Sequence, residues 1–171
     1  MSGVTTSSAS QSKSSFEVRL SAGPSFLMLS NQESERFAYV SVRPALGLVY
    51  PRGEPVALFA ALGGEFSNAD ESSLGSRRLA GIGEFGFRGF LPFEFWRRLV
   101  LEAGVTAGVG HSKLNFGGGD NPQPGVDVQA GLVGRLLVDF DYFAVGAGSI
   151  FGLSVFRGYS EFALHCFVSL P

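Results

Sequence analysis

Apolar and polar residues alternate along nearly the whole chain from Phe16 onward. In the stretch Leu99–Gly110, one set of every second residue is Leu99, Leu101, Ala103, Val105, Ala107 and Val109. The set between them is Val100, Glu102, Gly104, Thr106, Gly108 and Gly110. One face is apolar throughout, and the other is small or charged. The same holds for Val126, Val128, Ala130, Leu132, Gly134, Leu136, Val138 and Phe140 against Asp127, Gln129, Gly131, Val133, Arg135, Leu137 and Asp139. A period of two predicts β-strand, because successive side chains of a strand point to opposite faces.

Eight such segments follow one another: 16–29, 36–50, 55–67, 77–91, 99–111, 126–140, 142–156 and 159–170. No capped helical pattern separates them, which argues against parallel βαβ units. The predicted fold is all-β, an eight-stranded antiparallel up-and-down transmembrane barrel over residues 16–171. Residues 1–15 are rich in Ser and Thr and are expected to form a disordered tail. Connections 30–35, 68–76 and 112–125 are longer and polar, whereas those near Pro51–Glu54 and Asp141 are tight. Long external loops and short periplasmic turns alternate in this way in outer-membrane barrels, which would place both termini on the periplasmic side. Arg157-Gly158 is short for an external loop, and 92–98 is long for a periplasmic turn. Pro24 and Pro44 fall inside strands of a barrel that has no free edge, so bulges are expected there.

Composition sharpens the choice of face. Only 16% of residues are charged, against roughly 25% in an average soluble domain. The polar face carries Glu17, Arg19, Arg43, Glu65, Arg78, Glu84, Arg88, Glu102, Asp127, Arg135, Asp139, Glu161 and His165, and is otherwise mostly Gly, Ala, Ser and Thr. A water-facing surface needs roughly 25–35% charge, so this face suits a narrow lumen and the apolar face suits lipid. A soluble lipocalin-like binder of an apolar ligand, with the faces inverted, is the alternative. Register predicts a lumen charge network. Glu102 bridges Arg88 and Arg135, with Asp139 below, Glu84 higher on the same face, and Arg19 and Glu17 in the same inward set. Such a network would plug the lumen and leave no open pore; charges solvated independently by lumen water are the alternative. The FLPFEFWRR stretch supplies Phe90, Phe93, Phe95 and Trp96 beside Arg97 and Arg98, a set suited to anchoring at lipid headgroups.

Other chemistry is thin. A net charge of -2 predicts no attraction to nucleic acid. The single Cys166 allows no internal disulfide, and no apolar run is long enough for a membrane helix. The first 15 residues hold no apolar signal core, so an export signal is expected to have been removed and a Met added. Gly81–Gly86 spells G-x-G-x-x-G, but alternation continues through it where a dinucleotide site needs a helix to open. Arg88-Gly89-Phe90 resembles the start of an RNA-binding strand only until Leu91-Pro92 breaks it. His111-Ser112, with Asp120 or Asp127, suggests a hydrolase triad, yet adjacent strand residues face opposite ways. His165 has no second His at ligand spacing. No catalytic residue, metal site or cofactor is assigned.

The outward pairs Phe26/Met28, Phe85/Phe87 and Phe151/Leu153, and a last strand whose Phe162, Leu164, Cys166, Val168 and Leu170 alternate, carry a resemblance. Residues 16–171 resemble the small eight-stranded outer-membrane barrels of Gram-negative bacteria, the class that includes the membrane domain of outer membrane protein A. The chain ends Leu170-Pro171, where that class usually ends in an aromatic. The resemblance implies an integral monomer of the bacterial outer membrane, surrounded by lipid and lipopolysaccharide and inserted by the barrel assembly machinery. A structural or surface-contact role is expected; an outer-membrane lipid-modifying enzyme is the rival.

Overall fold

A computed structural model of the chain describes residues 14–29, 36–52, 54–68, 77–91, 99–113, 125–140, 142–156 and 158–171. Eight strands form: β1 (Ser15–Leu29), β2 (Arg36–Tyr50), β3 (Val56–Asn68), β4 (Arg77–Phe90), β5 (Leu99–Lys113), β6 (Gly125–Asp139), β7 (Ala144–Ser154) and β8 (Tyr159–Leu170). Each pairs antiparallel with the next, and β1 pairs with β8, from Val18↔Leu170 to Leu29↔Tyr159, closing the barrel. Closure leaves no sheet edge to template association. A strand of about 15 residues at 3.3 Å per residue, tilted by about 45°, rises roughly 35 Å, more than the roughly 25 Å apolar band of a membrane barrel.

The strands fall within two residues of the alternating segments. β1 begins at Ser15, one residue inside the expected tail; residues 1–13 lie outside the described residues. β7 is shorter than its segment and begins at Ala144, just after Phe143, whose carbonyl accepts from Phe140 N–H at 2.9 Å. The expected bulges at Pro24 and Pro44 do not form. β1 and β2 pair without interruption through Leu20↔Pro44 and Pro24↔Val40. On the other side of each proline two pairs are missing: β1–β8 passes from Ala22↔Cys166 to Ser25↔Ala163, and β2–β3 from Val42↔Phe66 to Ala45↔Gly63. The count of residues is equal on both strands, so no residue is extra. Loss of the N–H opens the ladder without shifting its register.

Alternation resolves into an inside and an outside. Phe16, Leu46, Leu62 and Leu132 are 62–76% exposed on the outer face. Phe16, Tyr50 and Tyr142 are exposed at the end that carries both termini, and Phe66 and Phe156 at the far end. The interior holds Glu17, Arg19, Arg43, Glu65, Arg78, Arg88, Glu102, Asp127, Arg135, Glu161 and His165, all buried. A lipocalin-like barrel would show the inverse, an apolar interior and a charged skin. Phe59 lies at the centre of a small buried cluster with Val49, Ala57, Val133, Ile150 and Ala163.

Inward glycines permit this narrow bore. A Cβ on Gly131 would lie 2.1 Å from the Phe151 carbonyl oxygen, whereas one on outward-facing Gly134 would meet nothing within 4 Å. Strand coiling in a small barrel brings the neighbouring backbone into the space a side chain would need.

Candidate functional site

The charged lumen is built in three layers. The first lies towards the terminal end, on β1, β4, β5 and β6. Arg88 grips Glu17 with a two-pronged contact, Nη1–Oε1 at 2.6 Å and Nη2–Oε2 at 2.8 Å, and its Nε donates to Glu102 Oε1 at 2.8 Å. Glu102 also accepts from Arg19 Nη2 (2.9 Å) and Arg135 Nη1 (3.1 Å). Arg19 returns to Glu17 at 3.0 Å, Ser169 Oγ donates to the same carboxylate at 3.0 Å, and Arg135 Nη2 reaches Glu84. Three guanidiniums and three carboxylates balance. Aromatic faces complete the desolvated environment: Arg19 lies 5.0 Å from the Phe59 ring centre, and Arg135 4.4 Å from that of Phe167.

These pairings follow from register. Arg88↔Glu102 and Glu102↔Arg135 are direct cross-strand partners on the inward face, where opposite charges stabilise. The Arg19 contact to Glu102 crosses the bore and exists only because the sheet closes. Asp139 sits at the mouth, where it lines a cavity of about 280 Å³ with Glu17, Arg88, Arg52 and Ser169.

The second layer, towards the far end, was not singled out by sequence reasoning, although its members were on the inward list. Arg43 Nη2 contacts Glu65 (3.0 Å) and Glu161 (3.3 Å); Arg78 Nη1 contacts Glu161 (2.8 Å) and Glu65 (3.3 Å). Gln129 Nε2 donates to Glu161 at 3.1 Å. Asp127 accepts from Ser154 Oγ at 2.7 Å and from the Tyr159 hydroxyl. β3 and β4 supply Glu65 and Arg78, but Glu161 arrives from β8 across the lumen.

Between the two lies a layer of hydroxyls around one imidazole. His165 Nε2 is 2.7 Å from Ser41 Oγ, its Nδ1 is 3.1 Å from Ser21 Oγ, and Ser41 in turn meets Ser25 at 2.9 Å. Both ring nitrogens are thereby engaged. A void of about 20 Å³ borders this layer at Ser21, and one of about 10 Å³ lies beside Gln129 and Glu161 of the far layer; side chains fill the bore around them, as expected for eight strands.

One sequence expectation needs correction. Phe90, expected at the lipid headgroups, packs inside against the Val100, Leu137 and Phe167 cluster. It shares the inward parity of Arg88 two residues earlier, and its N–H is held by Pro55 O at 3.0 Å. Phe93, Phe95, Trp96, Arg97 and Arg98 lie outside the described residues. His111 and Ser112 face opposite ways, as alternation along the strand predicts. His111 is exposed on the outer face and Ser112 fully buried on the inner one, while Asp127 is held by Ser154 and Tyr159. Among the described residues, no group of three or more His, Cys, Asp or Glu is arranged to hold a metal ion.

No protein-family profile matches the sequence, and no curated protein does so either. Solved structures do match the fold. Neisserial surface protein A superposes with a TM-score of 0.67 at 12% identity, over 92% of this chain and 98% of that one. The fold is that of the small eight-stranded outer-membrane barrels. Ail, the attachment invasion locus protein of Yersinia pestis, agrees at a TM-score of 0.57 and 12% identity in its complex with the heparin analogue sucrose octasulfate, over 91% of this chain and 97% of that one. At such identity the shared property is architecture, namely strand number, closure and the inside–outside division.

Proposed function

We propose that this chain is a monomeric barrel of the bacterial outer membrane with a plugged lumen and a non-catalytic role, either in envelope integrity or in contact at the cell surface. The observation that carries the reading is the division of faces: apolar side chains outside and paired charges inside. In water that outer face would be a large aggregation-prone surface; in lipid it is the favoured one. The end bearing the termini is then periplasmic. Connections 30–35, 69–76 and 114–124 are then external and form the contact surface. Lipid and lipopolysaccharide surround the barrel, and the alternating last strand is the segment offered to the barrel assembly machinery.

The likeness to a surface protein and to an attachment protein supports a surface role through shared architecture alone. The opposed directions of His111 and Ser112 favour it over lipid modification. Reconstitution into planar bilayers tests the plug: no steady conductance is expected, and stable open-channel current in the intact barrel would refute it. Lipid A mass spectra of cells with and without the protein test the enzymatic rival, and unchanged spectra are expected.

A further inference from the structure

Three observations converge on the middle of the lumen. A void of about 20 Å³ is lined there by Arg19, Ser21, Arg43, Glu84 and Arg135, beside Ile82. Arg43 and Arg135, 7% and 4% exposed, use their Nη atoms in the two ion clusters, while the Nε of each is buried without a hydrogen-bond partner among the described residues. The wall of the same void includes Pro44 and Gly64, in the stretch where the β2–β3 ladder is open and where Pro44 brings no N–H.

A buried N–H left unpaired loses its hydration without compensation, so two of them beside one void call for a shared acceptor. The void exceeds the roughly 10–15 Å³ that one water requires on the same measure. A water also needs two to four polar partners. Two guanidinium N–H donors and the Glu84 carboxylate, all lining the void, provide them. An anion is a poorer match: the layer towards the terminal end is already balanced, and the far layer, with Arg43 and Arg78 against Glu65, Asp127 and Glu161, carries an excess carboxylate.

We propose that this void is a bound-water site, in which one water accepts from Arg43 Nε–H and Arg135 Nε–H and joins the two ion clusters into a single plug. The ion-pair layers on either side separate the water from bulk solvent along the bore, so it exchanges slowly. The site does not depend on which membrane the barrel occupies.

The test uses the full chain in lipid nanodiscs with ¹⁵N-labelled arginine. Water-to-Hε cross-peaks are recorded in paired laboratory-frame and rotating-frame Overhauser spectra. Two Hε protons should show water cross-peaks of opposite sign in the two experiments, the mark of a long-lived bound molecule. Those peaks should vanish in Ile82→Phe, which fills the void, while strand signals persist. If that variant does not fold, the wild-type spectrum still decides. Absence of water cross-peaks from folded wild type would overturn the proposal. So would Hε shifts that titrate with chloride at constant ionic strength, since the occupant would then be an anion.

Discussion

Glu102 is the side chain on which the layer towards the terminal end depends. Its carboxylate accepts from Arg19, Arg88 and Arg135 while only 1% exposed. Removing one partner of a buried ion pair leaves an uncompensated charge, at a cost of roughly 3–5 kcal/mol. Glu102→Gln should therefore destabilise the barrel by about that amount in urea unfolding followed by tryptophan fluorescence. Glu84→Gln should cost clearly less, because Glu84 is less deeply buried and, among the described arginines, pairs with Arg135 alone. Equal losses would mean that the network does not centre on Glu102. The glycines make a second residue-scale contrast. Gly131→Ala places a Cβ against the Phe151 carbonyl, whereas Gly134→Ala meets open space. The first should fail to refold in detergent and the second should refold like wild type.

At the scale of elements, the prolines show how a ladder can open without slipping. A bulge would have turned one face of β1 or β2 outward beyond it, since a shift of one residue exchanges the faces of a strand. Instead Glu17, Arg19, Ser21 and Ser25 stay inward on both sides of Pro24. Pro44→Ala should accordingly change stability by less than about 1 kcal/mol, the scale of the unfolded-state entropy involved. Cross-strand NOEs between β1 and β2 should keep the Leu20↔Pro44 register; a one-residue shift of those NOEs would contradict the reading. Among the described residues, turn geometry enters at one position where the backbone demands it: Gly158 leads into β8 with φ at 64°, a conformation that side chains disfavour.

At the scale of the molecule, most of the fold was legible from alternation, because period two states both the strand and the face of every residue. Direct cross-strand pairs were legible too: Arg88, Glu102 and Arg135 follow from counting along neighbouring strands. What counting cannot reach are contacts across the bore. Arg78 meets Glu161 and Arg19 meets Glu102 only after β8 closes on β1, so the far cluster stayed a set of separate charges on a list. Phe90 was misread for another reason. Its membership in an aromatic run outweighed its parity, and parity proved the better guide.

On the proposed reading, the apolar face meets lipid and the barrel is a closed unit. Membrane fractionation combined with gel mobility before and after boiling tests it most directly. The protein should sediment with the outer membrane and run as a compact, faster band in detergent until it is boiled. A monodisperse monomer in detergent-free buffer, with no shift of mobility on boiling, would contradict it.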